Sequence, residues 1–167
     1  DENGEMDGVI LVFRDVTSEK IKQDEIEFLS YHDELTGLGN RRYLEERIKQ
    51  LDQAEDQMPI SVIMGDVNGL KVINDAFGHA TGDQLLKKAA DALKASCRGD
   101  DVISRYGGDE FLILLPRTNA AIAKRVANRL YDAVGRIELD PVHFSMSLGW
   151  ATKQEIQDSM ADTIKTA

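Results

Sequence analysis

The sequence predicts an α+β domain whose sheet is largely antiparallel and flanked by helices. Three observations carry this. The periodic segments run helix, strand, helix, helix, strand-hairpin-strand, helix, strand, an order typical of α+β layouts. Val102-Ile103 and Phe111 to Leu115 are apolar runs around Gly107-Gly108, and a Gly-Gly pair between strand-like runs reads as a hairpin turn reached through positive φ. Ile60 to Met64 is an apolar run that ends at Gly65-Asp66, as a buried strand ends when it delivers an acidic residue to a sheet edge.

Taken in order, residues 1–17 hold a strand-like run, Gly8 to Thr17, closed by Asp15-Val16-Thr17. From Ser18 to Tyr31 the pattern turns helical, with Thr17 or Ser18 available as a cap and Ile21, Ile26, Phe28 and Leu29 as a narrow apolar stripe. Arg41 to Ala54 reads as a helix with Tyr43, Leu44, Ile48 and Leu51 on its apolar face, and Pro59 ends the loop before the Asp66 strand. Asn68 to Phe77 is a short helical region, Gly78 to Gly82 a loop, and Asp83 to Cys97 a helix with Leu85, Leu86, Ala89 and Leu93 inward. Asn119 to Val134 is a helix carrying Ile122, Val126, Leu130 and Tyr131. Val142 to Trp150 alternates as one strand with Val142, Phe144, Met146 and Leu148 on one face, and a last helix begins near Gln154. Trp150 and Tyr106 read as core residues, and His79 as a structural loop residue.

The 167 residues suffice for one domain with a real core plus a tail. No apolar run approaches the ~20 residues of a membrane span, and no signal peptide is visible, so no membrane contact is expected. The single cysteine, Cys97, excludes an internal disulfide and fits the cytoplasm. A net charge of −10 argues against sequence-independent binding to nucleic acid, which needs basic surface.

If the strand ending at Asp66 neighbours the hairpin, Asp66, Asp109 and Glu110 meet in one place. Three crowded carboxylates repel unless a cation sits among them, and hard oxygen ligands suit Mg²⁺, the usual partner of phosphate chemistry. The plainer alternative is a solvated hairpin tip.

Arg105-Tyr106-Gly107-Gly108-Asp109-Glu110-Phe111 resembles the signature of the GGDEF family, the diguanylate cyclases. Asp66 to His79 and the opening Asp33-Glu34-Leu35-Thr36-Gly37-Leu38-Gly39-Asn40-Arg41 resemble it too, in family order. The resemblance implies a palm-like sheet of the nucleotide cyclase type over residues 32–167. It implies that Asp66, Val67, Asp109 and Glu110 hold Mg²⁺ or Mn²⁺, and that Glu110 assists deprotonation of the attacking 3′-hydroxyl. Gly107 and Gly108 would leave room for the nucleotide. Asn74 and Asp83 match the guanine-reading pair; the alternative for Asp83 is a cap on the helix it opens. Backbone N–H groups of Asn68, Gly69, Leu70 and Lys71 would meet the phosphates. Here Asn68-Gly69-Leu70 departs from the family pattern, where an acidic residue and aromatics are frequent.

Arg98 and Asp101 match the Arg-x-x-Asp of the family's inhibitory product site; alone, such a pair is usually a surface salt bridge. Arg105 reads as a helper or as half of an ion pair, and Asp33 and Arg41 as ties between the preceding helix and the domain. Residues 1–17 resemble the end of a PAS sensor domain, and 18–31 the linker helix that follows one. The implied activity condenses two GTP into cyclic di-GMP with release of two pyrophosphates, in a homodimer joined by the linker helix with facing active sites and inhibited by cyclic di-GMP. A non-catalytic GTP or cyclic di-GMP binding module is the alternative. The family's Ala-Asp-x-Ala-x-Tyr-x-Ala-Lys helix is incomplete at Ala167, so the expectation is a C-terminally truncated domain that folds but turns over GTP poorly.

Overall fold

Six strands and five helices follow from these patterns in a computed structural model that describes Phe28, residues 30–139 and residues 142–167. The strands are β1 (Ile60–Val67), β2 (Val102–Arg105), β3 (Glu110–Leu115), β4 (Glu138–Leu139), β5 (Val142–His143) and β6 (Met146–Lys153). The helices are α1 (Arg41–Asp52), α2 (Leu70–Phe77), α3 (His79–Ser96), α4 (Ala120–Gly135) and α5 (Met160–Thr166). The strand-like run before Thr17 and most of the 18–31 segment lie outside the described residues; Phe28, Ser30 and Tyr31 are helical.

The main sheet has the order β2-β3-β1-β6, and every neighbouring pair is antiparallel. β1 is central and apolar along most of its length because both faces of the sheet are covered. On one face α2, α3 and α4 bury Ile73, Leu85, Leu93, Val126 and Leu130 with Ile63, Phe111 and Ile113. On the other, α1 and α5 bury Leu44, Leu51 and Met160 with Val62, Leu112 and Leu114. Each such side chain contributes about 1.5–3 kcal/mol by leaving water. Asn40 and Asn119 cap α1 and α4 by accepting the N–H groups of Tyr43 and Ile122, both at 3.0 Å.

A buried lysine fastens three elements. Lys153, at the end of β6, donates to the Asp52 carboxylate (2.6 Å) and carbonyl (3.0 Å), and Asp52 also accepts the N–H of Met160 at 3.2 Å. The end of α1 and the start of α5 are thereby held to the sheet. Among the described residues no helix is long and apolar enough to cross a membrane.

Three boundaries differ from expectation. The region Gly78 to Gly82 is not a loop: Gly78, at φ 84°, turns the chain, and α3 starts at His79. The glycine at position 82 lies within this helix, and its missing side chain admits Asn74 against α3. The single strand from Val142 to Trp150 is two strands. β5 pairs with β4 in a separate hairpin, while β6 begins at Met146 and runs to Lys153 beside β1. The last helix begins at Met160 rather than Gln154, because the Asp158 carboxylate binds the N–H groups of Gln154 and Glu155 in a turn and Ser159 caps the helix. Trp150 is exposed rather than a core residue, and Tyr131 is exposed on its helix.

Candidate functional site

The register of β1 against β3 builds the site. It sets Asp66 directly opposite Glu110, and the N–H of Val67 donates to the Asp109 carbonyl at 3.0 Å. Asp66 and the distant pair Asp109-Glu110 thus stand at one end of the sheet, as the neighbouring-strand condition requires. Slight burial and the Asp109 charge raise the Asp66 carboxyl above its ordinary range. The Glu110 carboxylate lies back over Gly107, where a β-carbon would stand 2.6 Å from its Oε2. Among the described residues no three carboxylate, imidazole or thiol groups close on one centre. By donor chemistry Asp66 and Asp109, carboxylates at the same sheet end, fit a hard divalent cation; Glu110 would have to swing off Gly107 to join them.

The glycine pair works differently from expectation. Positive φ falls at Gly37, Gly69 and Gly78 among the described glycines, and not at Gly107 or Gly108. The hairpin closes because Glu110 O accepts from Tyr106 N (2.8 Å) and Gly107 N (3.3 Å), while Arg105 reaches over to Gly108 O. The Glu110 carboxylate rests in the space a β-carbon on Gly107 would take, and Gly108 stands in the open.

Gly69, at φ 72° with open space around its Cα, turns the chain from β1 into α2. The first-turn N–H groups of Leu70 and Lys71 have no acceptor within the helix and point to its N-terminal side. Asn68 does not join them as expected. Its N–H donates to Ser145 O at 3.0 Å, and its amide is held by the hydroxyls of Ser145 (3.0 Å) and Ser147 (2.8 Å). These serines sit beside β1 only because β6 pairs with it, so they were invisible in the local sequence pattern.

Asn74 packs on Gly82, and its Oδ1 is buried without a hydrogen-bond partner. A stranded buried acceptor costs about 1–3 kcal/mol, which a ligand donor would recover. Asp83 is the next residue after Gly82 and is exposed. It lies in the second turn of α3, so the alternative of a helix cap is excluded.

Arg98 and Asp101 form a tight turn after α3 and not a side-chain ion pair. The Asp101 carboxylate accepts the backbone N–H of Arg98 at 2.7 Å, which leaves the Arg98 guanidinium exposed. Burial, abetted by Asp100, raises the Asp101 carboxyl despite that bond and the charges of Arg98 and Arg129. Arg129 was missed from sequence. It reaches from α4 to Ser96 O at 2.5 Å and adds a second positive charge beside the turn. Its signal, one arginine among several on a polar helix face, is too common to single out. Burial pushes the Cys97 thiol up to about 12, which leaves it protonated and unreactive at neutral pH.

The family model described as "Diguanylate cyclase, GGDEF domain" matches residues 30–167. The cyclic di-GMP phosphodiesterase PdeR of Escherichia coli (strain K12) is 34% identical over 144 residues, covering 84% of this chain and 22% of that protein. The diguanylate cyclase DgcM of the same organism is 32% identical over 146 residues, covering 86% of this chain and 36% of that protein. The chain therefore spans about a fifth to a third of the length of these curated relatives. Among solved structures, the diguanylate cyclase SiaD of Pseudomonas aeruginosa, in complex with its activator SiaC, superposes with a TM-score of 0.76 at 31% identity. That match covers 90% of this chain and 61% of SiaD. With the acidic strand ends, the hairpin and the antiparallel sheet all in place, the chain belongs to the GGDEF-domain family of diguanylate cyclases.

Proposed function

We propose that this chain is a diguanylate cyclase, condensing two GTP into cyclic di-GMP. The observation that carries the reading is the β1–β3 register, with Asp66 opposite Glu110 and Asp109 at the same sheet end. Asp66 and Asp109, with the Val67 main chain beside them, would hold Mg²⁺ or Mn²⁺. When bound, that ion offsets phosphate charge on an acidic protein and stabilises charge in phosphoryl transfer. Glu110 takes the proton of the 3′-hydroxyl. The 3′-oxygen then bonds to the α-phosphorus of the opposite GTP, the bond from that phosphorus to its bridging oxygen breaks, and pyrophosphate leaves.

The stranded Oδ1 of Asn74, with Asp83 nearby in sequence, supports recognition of the guanine edge. The amides of Gly69, Leu70 and Lys71 would meet the phosphates. The exposed Arg98 guanidinium, with Asp101 and Arg129, supports a site for cyclic di-GMP as inhibitor. Two chains are needed because each hydroxyl attacks the other's phosphorus; residues 18–31 would serve as the pairing linker helix after the PAS-like end at 1–17.

The test is incubation with GTP and Mg²⁺ or Mn²⁺, followed by chromatographic detection of cyclic di-GMP and pyrophosphate in a 1:2 ratio set by the reaction. A chain that binds GTP or cyclic di-GMP yet forms no product would replace the catalytic reading with that of a binding module.

A further inference from the structure

Where β1 leaves the sheet, its last peptide is fixed from both sides. The N–H of Val67 donates to Asp109 O at 3.0 Å, and the N–H of Asn68 donates to Ser145 O at 3.0 Å. Val67 therefore addresses the hairpin side and Asn68 the β6 side, as successive residues of an antiparallel strand do. Val67 and Asn68 share one planar, trans peptide unit. Holding the Asn68 N–H to Ser145 thus turns the Val67 carbonyl the other way, to the hairpin side. A regular pair would use that carbonyl, because the two residues exchange both N–H···O bonds. Here the Asp109 N–H does not return the bond, and Val67 O is left without that partner.

Side chains hold residue 68 in this setting. Asn68 Nδ2 donates to Ser145 Oγ at 3.0 Å, and Ser147 Oγ donates to Asn68 Oδ1 at 2.8 Å. Both ends of the amide are engaged, and with the main-chain bond three contacts tie one residue to β6. Register places Ser147 for this: it stands directly opposite Asp66, which faces Glu110 on its other side. Directly opposite residues of antiparallel strands share a face, so Ser147, Asp66 and Glu110 form one row. Past the clamp, Gly69 turns the chain into α2 at φ 72°. The side chains of Asn68, Ser145 and Ser147 are exposed, so their bonds compete with water and add little to stability. What they determine is direction.

We propose that Asn68 is a positioning residue, clamped by Ser145 and Ser147 so that its peptide presents the Val67 carbonyl to a divalent cation held by Asp66 and Asp109. Backbone carbonyls are suitable ligands for a hard cation, and this one is aimed without adding charge to a site where carboxylates already repel. Asn68 itself does not reach the cation, because its amide is engaged by the serines. The cation rests on the cyclase reading; the clamp on the peptide does not.

The experiment compares the parent with Asn68→Ala, Ser147→Ala, Ser147→Thr and the Asn68→Ala/Ser147→Ala double variant. The first readout is amide hydrogen-exchange protection at Val67 and at position 68. Protection should fall about tenfold in both alanine variants, while the middle of β1 and the thermal midpoint stay near parental values. Ser147→Thr, which keeps the hydroxyl, should match the parent. The double variant should be no worse than the more affected single one, as for residues acting through one contact. The second readout is the chemical shift of the Val67 carbonyl carbon during titration with Mg²⁺, with Mn²⁺ affinity from electron paramagnetic resonance beside it. The parent should show a Mg²⁺-dependent shift at Val67. In both alanine variants that shift should shrink and Mn²⁺ should bind about tenfold more weakly, the usual loss when a ligand's support is removed. Parental protection at position 68 in Ser147→Ala would overturn the proposal. So would additive losses in the double variant, or a parental Val67 shift and Mn²⁺ affinity in Asn68→Ala. A parent that binds no Mn²⁺ would instead overturn the metal reading, and exchange protection would still decide the clamp. A parent that binds Mn²⁺ but makes no cyclic di-GMP would overturn the cyclase reading, with both readouts still deciding the proposal.

Discussion

The side-chain amide of Asn74 occupies the space that any side chain at position 82 would need. A β-carbon there would collide with Asn74 Oδ1 and press on Leu70. One short helix and one long one therefore meet at a glycine, and the meeting point buries an unpaired acceptor, Asn74 Oδ1, one residue from the exposed Asp83. Gly82→Ala should displace Asn74 and lower GTP affinity about tenfold, with helical content retained. Asn74→Ala and Asp83→Ala should each cost about 1–3 kcal/mol of GTP binding. Calorimetry with GTP and ATP checks both, and equal affinities for the two nucleotides in the parent would remove the guanine assignment.

Asp109→Ala or Glu110→Ala should abolish product formation and leave the thermal midpoint near the parental value. Both residues stand at the sheet end outside the two apolar clusters, so little packing is lost. Near-normal turnover by either variant at saturating Mg²⁺ would refute their catalytic assignment.

Arg98→Ala should remove tight binding of cyclic di-GMP while initial turnover is unchanged. The turn itself should survive, because Asp101 holds the backbone N–H of Arg98 and not its guanidinium. The loss should be about 1.5–3 kcal/mol, the scale of charge-assisted bonds. Titration calorimetry decides it, with Arg129→Ala expected to weaken binding in the same direction.

Asp33 supplies a pH signature. Burial works to raise its carboxyl, but the Thr36 hydroxyl and N–H and the Arg105 charge outweigh it and hold the group below its ordinary value of 3.8. A depressed folded-state value adds stability above the unfolded value and loses it as pH falls through the folded one. Asp33→Asn should therefore be less stable than the parent at pH 7, by about 1 kcal/mol after allowance for solvent screening. The difference should close below the ordinary carboxylate range. Urea denaturation at pH 7 and pH 3 measures it; a gap that persists unchanged at the lower pH would show that Asp33 acts without its charge.

Much of this protein was legible in one dimension. The helices at Arg41 and Asn119 carry apolar periodicity and asparagine caps, and the hairpin and the Asp66 strand announce themselves by an apolar run ending in acid. The opening, strand-end and signature motifs carried the family, because each is a contiguous string. What tertiary structure decided lies in contacts between strings. Asn68 is taken by two serines that stand opposite only through β6 pairing, 77 and 79 residues away. Gly82 lies inside a helix, where Asn74 occupies the space of a β-carbon, whereas a sequence reading assigns a glycine-bounded stretch to a loop. Gly107 serves the Glu110 carboxylate and not a left-handed turn. Lys153 has no distinguishing local pattern, and it is buried because Asp52, 101 residues earlier, pairs with it. Arg105 likewise finds its ion-pair partner in Asp33, 72 residues away. Local propensity acts through neighbours along the chain, so it can name the elements. Hydrogen bonds and excluded volume act through space, so they alone settle which side chain each polar group serves.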